Sequence, residues 1–166
     1  MNSHFKKDAS VFIGGNCDYY LDMWDRYAES LFFKGWNCSA LLFGVLWVAY
    51  RRMYKEAAKL FGIQILAALV GFAPLLLTFL GWTPPNFLAY PIIIAANMAT
   101  FAVFIYCGIF GNRMYKDKAE RMIIGINEMQ FEDTKQLFDT LENKGGTNGI
   151  IVLLFILVAT IVIFVF

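Results

Sequence analysis

The chain has 166 residues, of which 59% are apolar, 17% aromatic and 16% charged. With a mean hydropathy of +0.56, that composition excludes a disordered chain and argues against an ordinary water-soluble globule. The 14 Lys and Arg against 13 Asp and Glu leave a net charge of +1, too small for a strongly basic nucleic-acid binder.

The N-terminal stretch carries Lys6 and Lys7 but only Val11, Phe12 and Ile13 before Gly14 and Gly15. That is too short for the apolar core of a cleavable signal, so the segment is expected to be retained, with His4 in a mobile tail. Gly14 and Gly15 read as a turn, with Asn16 or Asp18 capping the helix that follows. From Cys17 to Phe33 the apolar Tyr20, Trp24, Tyr27 and Leu31 recur at helical spacing, opposite Asp18, Asp22, Asp25, Arg26 and Glu29. Residues 1–34 are thus predicted to be a cytoplasmic amphipathic segment.

The stretch Gly35–Tyr50 holds 16 uncharged residues, about 24 Å as a helix against roughly 30 Å of hydrocarbon. Borrowing Leu31, Phe32 and Phe33 to lengthen it would place Lys34 inside the span. With Asn37, Cys38, Ser39 and Gly44 inside it and Trp36, Trp47, Tyr50 and Tyr54 suited to headgroup depth, residues 35–55 are predicted to form an interfacial or re-entrant helix with a basic end.

Phe61–Trp82 and Phe87–Phe110 contain 22 and 24 uncharged residues, each enough to cross a bilayer. Thr83, Pro84, Pro85 and Asn86 between them suit a tight turn, so residues 56–111 are predicted to form a transmembrane helical hairpin. Ala67 and Gly71 on the first helix, and Ala95, Ala99 and Ala102 on the second, read as a small-residue seam. Pro74 is expected to kink the first helix. Asn97, near mid-span, is expected to hydrogen-bond a neighbouring helix.

After Asn112 the spacing of Tyr115, Ala119, Met122, Ile126 and Met129 predicts a separate amphipathic helix. A shorter one, capped by Asp133, is predicted up to Glu142 and ended by Gly145 and Gly146. These make residues 112–147 a cytoplasmic amphipathic unit. The 18 uncharged residues from Gly149 to Phe166 put a transmembrane helix of tail-anchor type within residues 148–166. The expected fold class is therefore all-α, a small polytopic membrane protein.

Arg51, Arg52, Lys55 and Lys59 precede the hairpin, and Arg113, Lys116, Lys118 and Arg121 follow it. Basic residues near span ends resist translocation, so both clusters are expected in the cytoplasm, with the Pro-Pro turn and Phe166 outside. Arg52-Met53-Tyr54-Lys55-Glu56 is echoed by Arg113-Met114-Tyr115-Lys116-Asp117. The echo reads either as an old duplication or as ordinary interfacial composition.

Chemistry-bearing patterns are sparse. Cys17, Cys38 and Cys107 match no zinc or redox spacing, and Gly14-Gly15-Asn16 lacks the rest of a phosphate loop. The acidic Asp18, Asp22 and Asp25 are read as a solvated helix face. No catalytic, metal-binding or cofactor-binding residue is assigned.

The runs Phe12-Ile13-Gly14-Gly15-Asn16, Tyr19-Tyr20, Gly35-Trp36-Asn37-Cys38-Ser39-Ala40-Leu41-Leu42-Phe43-Gly44 and Trp47-Val48-Ala49-Tyr50-Arg51-Arg52-Met53-Tyr54 resemble a known family, as does Gly111–Tyr115, with a weaker match at Lys144–Thr147. The resemblance is to the bacterial membrane proteins grouped as domain-of-unknown-function family 2628, over about residues 11 to 122. Departures are Cys38 in place of Trp, Arg52 in place of Lys, and no Pro before Trp47. The resemblance implies a multi-pass protein of the bacterial inner membrane. It supplies no activity.

The expected function is a non-enzymatic scaffold, accessory or regulatory subunit whose partners are the lipid bilayer and a membrane protein or further copies of itself. A pore-forming channel or transporter subunit, lined by Gln64, Asn97 and Thr100, is the alternative; a lipid-modifying enzyme using Arg51, Arg52 and Tyr54 for headgroups comes third. Lipid-interface or docking residues are expected to be Trp36, Trp47, Tyr50, Arg51, Arg52, Tyr54, Arg113, Tyr115 and Lys116. Helix packing is assigned to Ala67, Gly71, Ala95, Asn97 and Ala99.

Overall fold

A computed structural model describes residues 2–26, 35–129, 131, 133–154 and 156–157. Tyr27 and Leu31 of the first aromatic stripe, Lys34, and the C-terminal end including Phe166 lie outside the described residues. Among those described, all regular structure is helical. The elements are α1 (Ser3–Ile13), α2 (Cys17–Arg26), α3 (Cys38–Phe43), α4 (Val45–Tyr50), α5 (Tyr54–Phe79), α6 (Asn86–Asn127) and α7 (Thr134–Lys144). Residues 149–154 and 156–157 are also helical.

α5 and α6 are long and apolar enough to cross a membrane. They form an antiparallel hairpin joined through Gly81, whose φ of 90° lets the end of α5 close with Trp82 N donating to Leu77 O. Along α5 the buried Ala57, Leu60, Ala67 and Pro74 recur at intervals of three, seven and seven, the pattern of a packed helical seam. α5 continues through Pro74, and Thr78 Oγ1 donates to Pro74 O at 2.9 Å.

On α6 the seam falls one position away from the expected one. Ala96, Val103 and Cys107 are buried, whereas Ala95, Ala99 and Ala102 are exposed. A Cβ on Gly71 would lie 2.9 Å from the Ala96 Cβ, so the two helices approach closely there. Asn97 is exposed and donates to Ile93 O of its own helix at 2.8 Å. Among the described residues its side-chain bond is to its own helix, in place of the interhelical one expected of it. Small size alone did not identify the face: Val103 and Cys107, further along the same stripe, set the rotation of α6.

The expected break at Asn112 is absent, and α6 runs unbroken for 42 residues, about 63 Å at 1.5 Å per residue. Its buried stripe continues through Gly111, Tyr115, Ala119, Ile123 and Ile126. The change of composition at Asn112 is therefore a change of surroundings with no interruption of the backbone. Met122 is half-buried and Met129 exposed, so Ile123 takes the place expected of Met122.

Around this polar half of α6 pack α1, α2, α3, α4 and α7. The N-terminal stretch is helical, with His4 inside α1 rather than in a mobile tail. Ala9, Phe12 and Ile13 of α1 are fully buried, and buried Asp8 accepts from Asn127 Nδ2 at 3.0 Å. Asp133 caps α7 as its sequence predicts, accepting from Lys135 N. Where α7 ends, Gly146 N donates to Phe12 O at 2.7 Å. A Cβ on Gly145 would collide with that carbonyl, so backbone proximity requires glycine there.

Overpacking the observed seam should destabilise the hairpin. Ala67→Leu and Ala96→Leu are each expected to cost about 1–3 kcal/mol, read as lower melting temperatures in detergent, while the outward-facing Ala99→Leu stays within about 0.5 kcal/mol of the parent. Equal losses from Ala96→Leu and Ala99→Leu would place the seam elsewhere.

Candidate functional site

The densest polar chemistry lies where α2, α3 and α4 meet α6. Between Gly35 and Tyr50 the chain forms two short helices separated by Gly44. Gly44 has φ 50° and ψ −123°, a conformation open in practice only to glycine, and a Cβ there would sit 2.8 Å from the Phe104 ring. Gly108 and Gly111 let α3 come close to α6: added Cβ atoms would lie 2.9 Å from the Leu41 Cβ and 3.0 Å from the Ala40 Cβ.

Asn37 and Asn112 lock that approach. Asn37 Oδ1 caps α3 by accepting from Ala40 N at 2.9 Å, while its Nδ2 donates to Asn112 Oδ1 at 2.8 Å. Asn112 Nδ2 in turn donates to Gly35 O at 3.2 Å and to Tyr19 Oη at 3.3 Å. Asn37 N donates to Gly108 O at 2.9 Å, adding a main-chain tie. Asn37 and Asn112, both buried, each serve more than one partner, which makes the pair specific for one register of α3 on α6.

Arg51, at the end of α4, is 5% exposed. Its guanidinium carbon lies 4.6 Å from the Tyr20 ring centre and 5.0 Å from that of Tyr115. Nη2 donates to Tyr20 Oη at 2.9 Å, while Nε and Nη1 have no hydrogen-bond partner among the described residues. The two ring faces supply the stabilisation that hydrogen bonds do not. Trp24 and Trp47 close the cage at 5.9 and 6.4 Å from the Tyr115 ring.

Burial raises the Tyr20 hydroxyl above its ordinary pKa and pushes Tyr115 up to about 12, the Arg51 cation opposing both shifts. Both phenols are therefore neutral at pH 7, so neither neutralises Arg51.

The next residue turns the opposite way. Met53 N donates to Val48 O, and Arg52 N to Ala49 O, the paired bonds of a Schellman closure. Arg52 holds the left-handed position of that closure at φ 58°, where glycine is the usual occupant. Its Nη1 donates to Asn143 O at 2.5 Å. Lys118, one turn beyond Tyr115 on α6, donates from Nζ to Arg51 O at 2.8 Å. Burial, and then the Arg52 cation, lower its pKa to about 8.

Of the residues expected at the lipid interface, Trp36, Tyr50, Tyr54 and Arg113 are exposed, and Arg52 and Lys116 are half-buried, Lys116 lying 3.5 Å from Glu120. Trp47, Arg51 and Tyr115 are buried and belong to the core. Their burial within the chain differs from the exposed docking role expected of them. The two RMY echoes are also unlike in structure: Arg52 and Met53 precede α5 in a turn, whereas Arg113 and Met114 lie inside α6.

Tyr19, Asn37, Asn112 and Lys118 were not anticipated as site residues. The available signal was Asn112 in helical step with Gly108, Tyr115 and Ala119. Asp18, Asp22 and Asp25 lie exposed along α2. Among the described residues no three His, Cys, Asp or Glu side chains converge as metal ligands.

Two clefts flank the junction. One of about 1200 Å³ is bordered by Tyr19, Trp36, Phe43, Trp47, Arg51 and Leu153. The other, of about 590 Å³, lies beside Arg52 and Lys118.

Asn112→Ala would strand the Asn37 amide, and a loss of about 1–3 kcal/mol is expected. Asn97→Ala, which removes only a bond to its own helix, should cost much less. Comparative thermal unfolding in one detergent checks this, and similar losses from the two variants would contradict the assignment.

No curated protein and no solved structure matches the chain. The family described as protein of unknown function (DUF2628) matches residues 16–121, from the start of α2 through the polar half of α6 to Arg121. That interval contains Tyr20, Asn37, Arg51, Asn112, Tyr115 and Lys118, while α1 and α7 fall outside it. The chain therefore belongs to domain-of-unknown-function family 2628.

Proposed function

We propose that this chain is a multi-pass protein of the bacterial inner membrane, acting as a non-enzymatic scaffold or accessory subunit of a membrane assembly. The observation carrying the reading is the division of α6 into halves with different surroundings. In the most apolar windows of α5 and α6 only 11% and 22% is buried within the chain, and outward-facing Leu66, Leu69, Phe72, Ile94, Met98 and Phe101 are exposed. An apolar surface of that extent needs lipid or another apolar partner. The other half of α6 is enclosed by a bundle with a charged exterior, which offers a rigid docking body at the membrane surface.

The proposed topology places the basic ends of α5 and α6 in the cytoplasm. The C-terminal helix begins at that same end, because Asn148 N donates to Tyr50 O at 2.8 Å and Asn148 Nδ2 to Tyr54 Oη at 2.9 Å. On this reading α3 and α4 dip into the cytoplasmic interface without crossing. A self-assembled pore is the weaker reading, since its proposed lining residue Asn97 is bonded to its own helix.

Purification of the full chain from native membranes in mild detergent tests the proposal. A larger partner recovered in fixed stoichiometry is the expected outcome; a pure homo-oligomer that conducts ions in a planar bilayer would replace the scaffold with a pore. In intact cells, a cysteine at Ser3 should resist an impermeant thiol reagent, whereas one at Thr83 should react. The reverse pattern would invert the topology.

A further inference from the structure

The smaller cleft brings together three segments distant in sequence: the α4–α5 turn, the polar half of α6 and the end of α7. Its lining includes Arg52, Lys55, Lys118, Arg121 and Lys144, against Glu56 as the one carboxylate lining it among the described residues. Glu56 lies 3.6 Å from Arg121, so it is already engaged by one of these cations. Arg52, Lys55, Lys118 and Lys144 leave an excess of positive charge in a volume of about 590 Å³.

Two features show that this charge is held in place. Arg52 occupies a left-handed backbone position that disfavours any residue with a Cβ, and its buried Nε has no hydrogen-bond partner among the described residues. Lys118 is tethered to Arg51 O despite the neighbouring cations. The first turn of α5 also borders the cleft, and no side chain caps it, so its free N–H groups add to the attraction for an anion. Tyr54 and Asn148 supply further hydrogen-bonding groups on the rim.

We propose that this cleft binds a phosphate group. Its depth points to the source: the uncharged stretch of α5 begins just beyond Lys59, so on the membrane reading above, which this inference adopts, the cleft lies level with phospholipid headgroups. An anionic phospholipid would insert its phosphate among Arg52, Lys118 and Lys144 and leave its acyl chains beside α5.

The test uses the full chain in nanodiscs of phosphatidylcholine with or without phosphatidylglycerol, with native mass spectrometry reading retained lipid. In parallel, inorganic phosphate is titrated against the detergent-solubilised chain. Phosphatidylglycerol should be retained over phosphatidylcholine, and Arg52→Gly, Lys118→Gln and Lys144→Gln should each weaken retention about fivefold, near 1 kcal/mol per cation. Lys135→Gln, an equal charge change on the exposed side of α7, should leave it unchanged. Arg52→Gly relieves backbone strain, so an undiminished melting temperature separates lost binding from lost folding.

Inorganic phosphate binding that is sensitive to the same substitutions, without lipid preference, would support the phosphate site with a soluble source and would not depend on membrane placement. Insensitivity of both ligands to all three substitutions overturns the proposal. So does an equal loss from Lys135→Gln, which would mean diffuse surface charge.

Discussion

A buried cation with no carboxylate partner among the described residues is the constraint around which this chain is arranged. Removing a guanidinium from water costs several kcal/mol unless its surroundings replace the lost solvation. Here the replacement comes from the faces of Tyr20 and Tyr115 and one phenolic oxygen. Those groups belong to α2 and α6, while Arg51 ends α4, so satisfying one charge joins three elements. Lys118 extends the junction by binding the Arg51 carbonyl rather than its side chain.

This junction explains why the apolar stretch before it is folded as it is. A continuous helix from Gly35 to Tyr50 would not permit the Gly44 turn or the Asn37–Asn112 contact. With both present, α3 lies against Gly108 and Gly111 while α4 delivers Arg51 to the aromatic cage. The following Schellman closure then separates two adjacent arginines. Arg51 enters the core, and Arg52 reaches Asn143 beside the charged cleft.

Much of the hairpin was legible because its outer faces are apolar: an exposed apolar surface leaves long runs without charge, and such runs are visible in a sequence. Its seam was less legible. Ala95, Ala96 and Ala99 are chemically alike, and only Val103 and Cys107, deeper in the stripe, show which one faces α5. The site was harder still, since Arg51 and Arg52 share one local sequence and their opposite fates depend on a turn closed by backbone bonds. The buried role of Tyr115 was hidden for a related reason: its neighbours Arg113 and Lys116 suggest a headgroup boundary, while its own burial depends on Tyr20, nearly a hundred positions earlier. Helix α1 was missed because its burial depends on contacts with α7, including the glycine at position 145, which nothing near Phe12 announces.

The most direct measurement is a double-mutant cycle on the cage, using Arg51→Met, Tyr115→Leu and the combined variant, with unfolding free energies determined in one detergent. If the guanidinium is held by the ring faces, the two losses are strongly non-additive, with a coupling of about 1–2 kcal/mol. Additivity to within about 0.5 kcal/mol would show that Arg51 and Tyr115 act independently and would contradict the central place given to the buried cation.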